Sequence, residues 1–420
     1  MMTSDVGYNE AFVWIWLPEA TDPVVTGKLS RNGDRLLFNY GKSYLQRENA
    51  IALYDPELPL TSGNISLTQG LKMPGVIRDG SPDAWGRRVI INRKLGQSGR
   101  QVDTAHLDEL TYLLESGSDR IGALDFQRSP TEYVPRIIAS ATLEELLHCA
   151  ERVEKGLPVP AELDLALHHG TSIGGARPKA LIEDSNRKFI AKFSSSSDIY
   201  PVVKGEFIAM RLARLAGLDV ADVQMKAVEG KDVLLVERFD RQQTPKGWTR
   251  KPMVSALTLF GLDEMFARYA SYETLADLIR LSFTDAPKTL KELFSRLVFN
   301  ILCGNTDDHA RNHAAFWDGE MLTLTPAYDI CPQGRAGNIA SQAMLISGDQ
   351  RQSNLACCIE AAAVFQLSRT EATTIVDQLK EVIERHWQSV CDEARLSPVD
   401  RKLLWGRQFM NPYIFEAVQP

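Results

Sequence analysis

Several things are missing from this 420-residue chain, and each absence excludes something. No apolar run approaches the ~18 residues a membrane-spanning helix needs, so a spanning helix is not expected. The first apolar run is preceded by Asp5 and Glu10 rather than by a basic stretch, so it does not read as a secretory leader. The cytoplasm is the expected compartment. There is no excess of basic charge: 47 Lys and Arg stand against 54 Asp and Glu, a net charge of -7. That argues against a free-standing nucleic-acid binder, though not against a basic partner. The six cysteines (Cys149, Cys303, Cys331, Cys357, Cys358 and Cys391) form no C-x-x-C pair. In a chain long enough to need no disulfide staples, they read as buried reduced thiols. There is no internal repeat, no low-complexity run, no Walker A loop and no G-x-G-x-x-G.

What remains is ordinary globular composition, 44% hydrophobic and 24% charged. At ~100–200 residues per domain the length implies two or three domains or lobes. Residues 11–17, 27–30 and 35–40 read as strands, with Asn32-Gly33 as a hairpin turn. Helices are expected at 84–95 and 107–115 and a strand at 121–126, giving a small α+β module over residues 1–130. Asp79 and Asp83 lie in a turn-rich connector and read as turn and N-cap residues. Residues 143–156 form an amphipathic helix capped by Thr142. Pro158 and Pro160 mark a break before a short helix at 161–168. His168 and His169 lack a third ligand spaced to join them, so they read as helix-end histidines.

The next stretch carries Gly174-Gly175-Ala176-Arg177-Pro178-Lys179. Glycines let a backbone approach phosphate oxygens closely, and the following Arg177 and Lys179 neutralise charge. A plain turn is the competing reading. The strand at 187–193 includes Ile190-Ala191-Lys192, similar to the strand whose lysine meets nucleotide phosphates in kinases. Otherwise Lys192 is a surface lysine on an edge strand. Glu206, on a helix at 203–216, is either a partner for Lys192 or a solvated surface glutamate. Strands are expected at 220–228 and 232–239, and residues 234–240 fit a last strand running into a hinge. After Gln242 the pattern reads as helical to the end, with helices at 253–259, 272–282, 290–303, 353–365, 369–387 and 398–405.

The most informative stretch is 293–332. Leu293, Leu297, Val298, Ile301 and Leu302 have helical apolar spacing, and Gly304-Asn305 ends that helix. A polar loop follows, then the hairpin signal Asp318-Gly319, then Asp329. Asp307 and Asn312 have the D-x-x-x-x-N spacing of a kinase catalytic loop, in which the Asp accepts the proton of the attacking hydroxyl and the Asn ligates magnesium. Asp329 has the position of the second metal-binding Asp. Magnesium needs only one or two such ligands beside substrate phosphates. Isolated, the same spacing would read as a polar loop capping helices and turns; helix, loop, hairpin and Asp in this order point to phosphoryl transfer.

These stretches resemble the HipA family of bacterial toxin kinases. The matching segments run from Thr171 to Lys179, Phe189 to Lys192, Val236 to Arg241, Gly304 to Asn312 and Leu324 to Ile330, and the likeness covers nearly the whole chain. The resemblance implies an α+β, two-lobed protein-kinase-like fold. It would comprise an N-terminal α/β subdomain (1–130), a kinase N-lobe (131–242) and a mainly helical C-lobe (243–420). It implies a serine/threonine protein kinase using ATP and Mg2+, with Asp307 as base and Asn312 and Asp329 as metal ligands. Lys192 would bind phosphates beside Gly174, Gly175, Ala176, Arg177 and Lys179. Glu237, Arg238 and Phe239 would lie at the hinge, and His309, Arg311 and Tyr328 would line the nucleotide site. Ser172 matches the family's autophosphorylation site, where modification ejects the loop. Arg177-Pro178 departs from the Gln-Glu of some members. The implied partners are a protein substrate, the family's best-known targets being aminoacyl-tRNA synthetases, and a helix-turn-helix antitoxin of the HipB type. DNA would be reached only through that antitoxin, and no membrane is involved. A small-molecule kinase and a catalytically silent co-repressor are the alternative functions.

Overall fold

A computed structural model describes residues 7–68, 70–95, 107–136, 141–157, 171–172, 174–184, 186–195, 198–335 and 337–416. The break at Pro158 and Pro160, the helix expected at 161–168 and the pair His168-His169 lie outside those residues. The chain forms two compact units, each assembled from separate stretches. The first comprises Met1–Ser195, Ala227–Val254 and Trp317–Glu320. The second comprises Ser196–Lys226, Ser255–Phe316 and Met321–Pro420.

The first unit opens with an antiparallel sheet of β1 (Glu10–Ile15), β2 (Val24–Asn32), β3 (Arg35–Tyr40) and β4 (Leu124–Gln127), in the order β3-β2-β1-β4. Alternation decides the inward face: Leu36, Phe38 and Tyr40 of β3 are buried while their neighbours are not. The fourth strand begins later than expected, at Leu124, because residues 121–123 are bend and turn. A second sheet contains β5 (Lys179–Glu183), β6 (Lys188–Phe193), β7 (Val223–Val228) and β8 (Lys231–Glu237), in the order β5-β6-β8-β7. Glu229 and Gly230, both at positive φ (48° and 76°), make the tight turn between β7 and β8. The helices Ala84–Leu95 and Leu143–Glu154 bring Trp85, Val89, Leu146, Leu147 and Val153 into one core with Phe189, Phe193, Val233 and Leu235. Each such side chain contributes about 1.5–3 kcal/mol by leaving water. Thr142 caps the second helix in a reciprocal capping box with Glu145.

The second unit is mainly helical and is built around Ala286–Cys303. Leu290, Leu293, Phe294, Leu297, Val298, Ile301 and Leu302 of that helix are all fully buried, at the expected spacing. It starts four residues before the expected position, because Asp285 caps it and Pro287 sits in its first turn. Around it lie Val202–Leu215, Tyr272–Ser282 and Arg369–Glu393, the last running six residues past its expected end. The helix expected at 353–365 is Leu355–Glu360 followed by a 3-10 turn, Ala361–Phe365.

One expectation fails clearly. Residues beyond Gln242 do not become helical at once. Arg241–Thr244 and Gly247–Arg250 form a hairpin, and Met253–Ser255 is a strand leading into a single helical turn, Ala256–Leu259. The β-forming residues Thr244, Trp248 and Thr249 flank a turn closed by Gly247 at φ 131°, which only glycine adopts without strain. All six cysteines are buried free thiols. Among the described residues no helix is long and apolar enough to cross a membrane.

Candidate active site

In the second unit the buried helix ends at Gly304, whose φ of 72° is left-handed and whose Cα lies against the Gln408 carbonyl. The loop that leaves it is fixed by its own backbone. His309 N–H donates to the Asp307 carbonyl at 2.9 Å, and Asn312 N–H donates to the His309 carbonyl at 2.8 Å. The Asn312 side-chain amide donates to the Asp307 carbonyl at 3.2 Å. Asp307 and Asn312 are thus brought together, with the Asp307 carboxylate exposed and the Asn312 side chain buried. Partial burial raises the Asp307 pKa above its ordinary value. The neighbouring His309 works against this, and the Asp329 and Asp308 carboxylates add to it.

Asp329 follows the strands Ala314–Trp317 and Leu322–Leu324, which flank the expected Asp318-Gly319 turn. Its φ of 58° is left-handed, a conformation costing a non-glycine residue about 1–3 kcal/mol. The segment before it is held firmly: Ala327 N–H donates to the Asp219 carbonyl at 2.8 Å, and Ala221 N–H donates to the Ala327 carbonyl at 2.9 Å. Arg296, buried on the central helix, donates to the carbonyls of Thr325 (2.9 Å) and Asp219 (3.1 Å). The Tyr328 hydroxyl donates to the Arg311 carbonyl at 2.8 Å, and the Arg311 guanidinium pairs with Glu264 at 2.6 Å.

These donors fit a magnesium ion. The Asn312 amide nitrogen donates to the Asp307 carbonyl, so its Oδ1 is the atom that could ligate a metal. The Asp307 and Asp329 carboxylates are close enough to disfavour each other's charge, and a divalent cation relieves that repulsion. Among the described residues no three His, Cys, Asp or Glu side chains form a metal cage. Magnesium does not require one, since it keeps waters and shares one or two carboxylates with phosphates.

Beneath the loop lies a cluster that motif reading did not find. Asp308 and His313 are 2% and 3% exposed, and the His313 Nε2 lies 3.0 Å from Asp308 Oδ1. The buried Tyr272 hydroxyl donates to the other carboxylate oxygen. Burial opposes ionisation of Asp308, but His313 and the Tyr272 hydrogen bond outweigh it and hold its pKa below the ordinary value. The only sequence signal was a second Asp beside Asp307 with His five residues on; Tyr272 is too distant in sequence to be read with them.

In the first unit, β5 and β6 pair so that Lys179 stands directly opposite Lys192. Cross-strand partners share a face, so two cations point the same way. Lys192 is 9% exposed and lies on an interior strand, which overturns its reading as a surface lysine on an edge. Glu206, in the second unit, is 3% exposed, which overturns the solvated reading of that residue. In the glycine-rich loop Gly175 has φ 96°, and the Lys179 ammonium donates to the Gly174 carbonyl. Ser172 is 4% exposed, with its hydroxyl donating to the Asp119 carbonyl at 3.3 Å. Ile173 lies outside the described residues. Asp83 does more than the expected turn and cap role: its Oδ2 accepts the Gly175 N–H at 2.6 Å.

At the expected hinge, the Arg238 side chain is committed elsewhere, which is compatible with a backbone role for this segment. The β8 ladder ends where Arg238 N–H donates to the Lys188 carbonyl at 2.8 Å, and Glu237 and half-buried Phe239 flank that point. The Arg238 guanidinium is buried on Asp119 (2.9 Å) and Asp240 (2.8 Å), so only its backbone is left for a nucleotide. Arg241 joins the same two carboxylates. Burial alone would raise the Asp119 pKa, yet Arg238, Arg241 and Lys188 hold it well below the ordinary range.

Comparison with known proteins gives the geometry a context. A family model described as HipA-like C-terminal domain matches residues 171–387, just over half of the chain, and one described as HipA N-terminal domain matches residues 20–127. The Sinorhizobium fredii protein Y4mE is 26% identical over 392 residues, covering 86% of this chain and 89% of the relative. The serine/threonine-protein kinase toxin HipA of Shewanella oneidensis is 23% identical over 251 residues, 54% of this chain and 58% of that protein. A solved complex of Shewanella oneidensis HipA, HipB and operator DNA matches with a TM-score of 0.69 at 21% identity, covering 97% of this chain and 100% of that one. At that identity the likeness speaks for the fold, which is α+β and protein-kinase-like.

Proposed function

Because the chain belongs to the HipA family, we propose that it is an ATP-dependent serine/threonine protein kinase and the toxin member of a toxin–antitoxin pair. The observation that carries the reading is the Asp307–Asn312 loop with the Asp329 carboxylate near enough to raise the Asp307 pKa. Asp307 accepts the proton of the attacking hydroxyl. Asn312 and Asp329 would hold a magnesium ion, which would supply neutralisation of charge on the transferring phosphoryl group. Lys179 and Lys192 orient the nucleotide phosphates, with backbone N–H groups of Gly174 and Ala176 and the side chain of Arg177, while the Gly175 N–H is held by Asp83. Backbone groups at Glu237 and Phe239 take the adenine edge, and His309 and Tyr328 border the nucleotide. Ser172 is the residue the kinase modifies on itself; because it is buried, the loop must open first. The Shewanella complex supports a helix-turn-helix antitoxin of the HipB type as partner, with DNA met through it. The remaining partner is a protein substrate, for which an aminoacyl-tRNA synthetase is the first to try.

The test is transfer of the labelled γ-phosphate of ATP to the protein itself or to a serine/threonine acceptor, with Mg2+ present. Asp307→Ala is expected to lower the rate by about 10²–10⁴-fold. Its stability should stay within about 0.5 kcal/mol, since the side chain is exposed. In the wild type the rate should fall as pH drops through the Asp307 pKa. An Asp307→Ala protein that transfers phosphate at the wild-type rate would refute the assignment.

A further inference from the structure

The glycine-rich loop is not held by its own sheet alone. Asp83 and the first turn of the helix Ala84–Leu95, in the N-terminal module, grip it at successive positions. Asp83 Oδ2 accepts the Gly175 N–H at 2.6 Å, and Trp85 N–H donates to the Gly175 carbonyl at 3.2 Å. Both polar backbone groups of one glycine are therefore fixed by one neighbouring helix start. The Arg88 guanidinium donates to the Ala176 carbonyl, and the Trp85 indole N–H donates to the Lys179 carbonyl at 3.0 Å. The contact is close: a Cβ on Gly174 would fall 2.8 Å from Asp83 Oδ2, and one on Gly86 would fall 2.4 Å from the Thr171 carbonyl.

We infer that Asp83 is a positioning residue for the phosphate-binding loop: its carboxylate holds Gly175 so that the loop keeps the shape nucleotide phosphates require. The inference rests on the reading of this loop as a nucleotide cradle. A loop with Gly175 at φ 96° needs its conformation imposed from outside, because glycine is the residue with most freedom to lose. A hydrogen bond from an amide to a charged carboxylate is among the stronger ways to impose it. The Lys179 ammonium, drawn to the Gly174 carbonyl, is set by the same arrangement. Asp83 touches the loop and not the reacting atoms, so its effect falls on nucleotide affinity and spares the chemical step.

The experiment compares wild type, Asp83→Ala and Asp83→Asn in the full-length protein. Hydrogen exchange over residues 174–180 reads loop order without any assay of activity. Asp83→Ala is expected to speed exchange there, to raise KM for ATP about tenfold and to leave kcat within about twofold. Asp83→Asn keeps an acceptor oxygen and is expected to recover most of both effects. Unchanged exchange in Asp83→Ala overturns the inference. Faster exchange with unchanged KM overturns the link to nucleotide binding, and so does an Asn variant no better than Ala. A wild-type protein that neither binds nor hydrolyses ATP defeats the kinase reading, and exchange alone then decides the clasp between Asp83 and Gly175.

Discussion

Asp307 and Asp308 are neighbours in sequence with opposite electrostatic fates. Asp308 points into the protein, meets His313 and Tyr272, and has its pKa lowered; Asp307 points outward beside Asp329, and its pKa is raised. The linkage signs follow. Asp308 contributes stability that is present above its unfolded pKa of ~3.9 and is lost as pH falls through its lower folded value. Asp307 favours folding only while protonated, and that contribution fades as pH rises through its raised folded value. Asp308→Ala would remove the carboxylate shared by the Tyr272 hydroxyl and His313 Nε2, leaving those two buried groups only each other at 3.4 Å, and the His313 Nδ1 already has no hydrogen-bond partner among the described residues. The expected loss is about 3 kcal/mol, read from urea unfolding at pH 7. A loss below about 1 kcal/mol would show that the cluster does not brace the catalytic loop. The doublet Asp307-Asp308 was visible in the sequence, but which of the two faces inward depends on Tyr272, 36 residues upstream of Asp308.

The central helix, Ala286–Cys303, hands its last residue to the catalytic loop through Gly304. Gly304→Ala meets two obstacles: a left-handed φ of 72° and a Cβ 2.5 Å from the Gln408 carbonyl. We expect a loss of about 2 kcal/mol or more in thermal unfolding, with activity falling further than stability because the loop origin moves. A variant with unchanged melting temperature and rate would remove Gly304 from the argument. This helix was legible because its apolar spacing is local and strong. The hairpin Arg241–Thr244 with Gly247–Arg250 was not, because Arg241, Gln242 and Gln243 show no apolar alternation and their strand pairing is decided by neighbours. The interior position of Lys192 was equally hidden, since strand order is a long-range property that no window of sequence contains.

Across the whole molecule the two units are separate cores, and one carries an ionic hub. Asp119 meets Arg238, Arg241 and Lys188, partners up to 122 residues away in sequence, which is why no motif exposed it. Asp119→Ala leaves the buried Arg238 and Arg241 sharing Asp240 alone. The expected cost is about 3 kcal/mol, borne by the first unit. Scanning calorimetry should then show one of two unfolding transitions moved down and the other unmoved. A single transition shifted as a whole would mean that the units unfold as one.

The first unit is completed late. Its final piece, Trp317–Glu320, is the turn between the strands that lead from the catalytic loop to Asp329. There the Trp317 indole donates to the Ala52 carbonyl at 2.9 Å and stands edge-on to Tyr54. The first unit therefore receives its last segment only after residues 255–316, which belong to the second, have been made. A message cut short before that point yields neither unit whole.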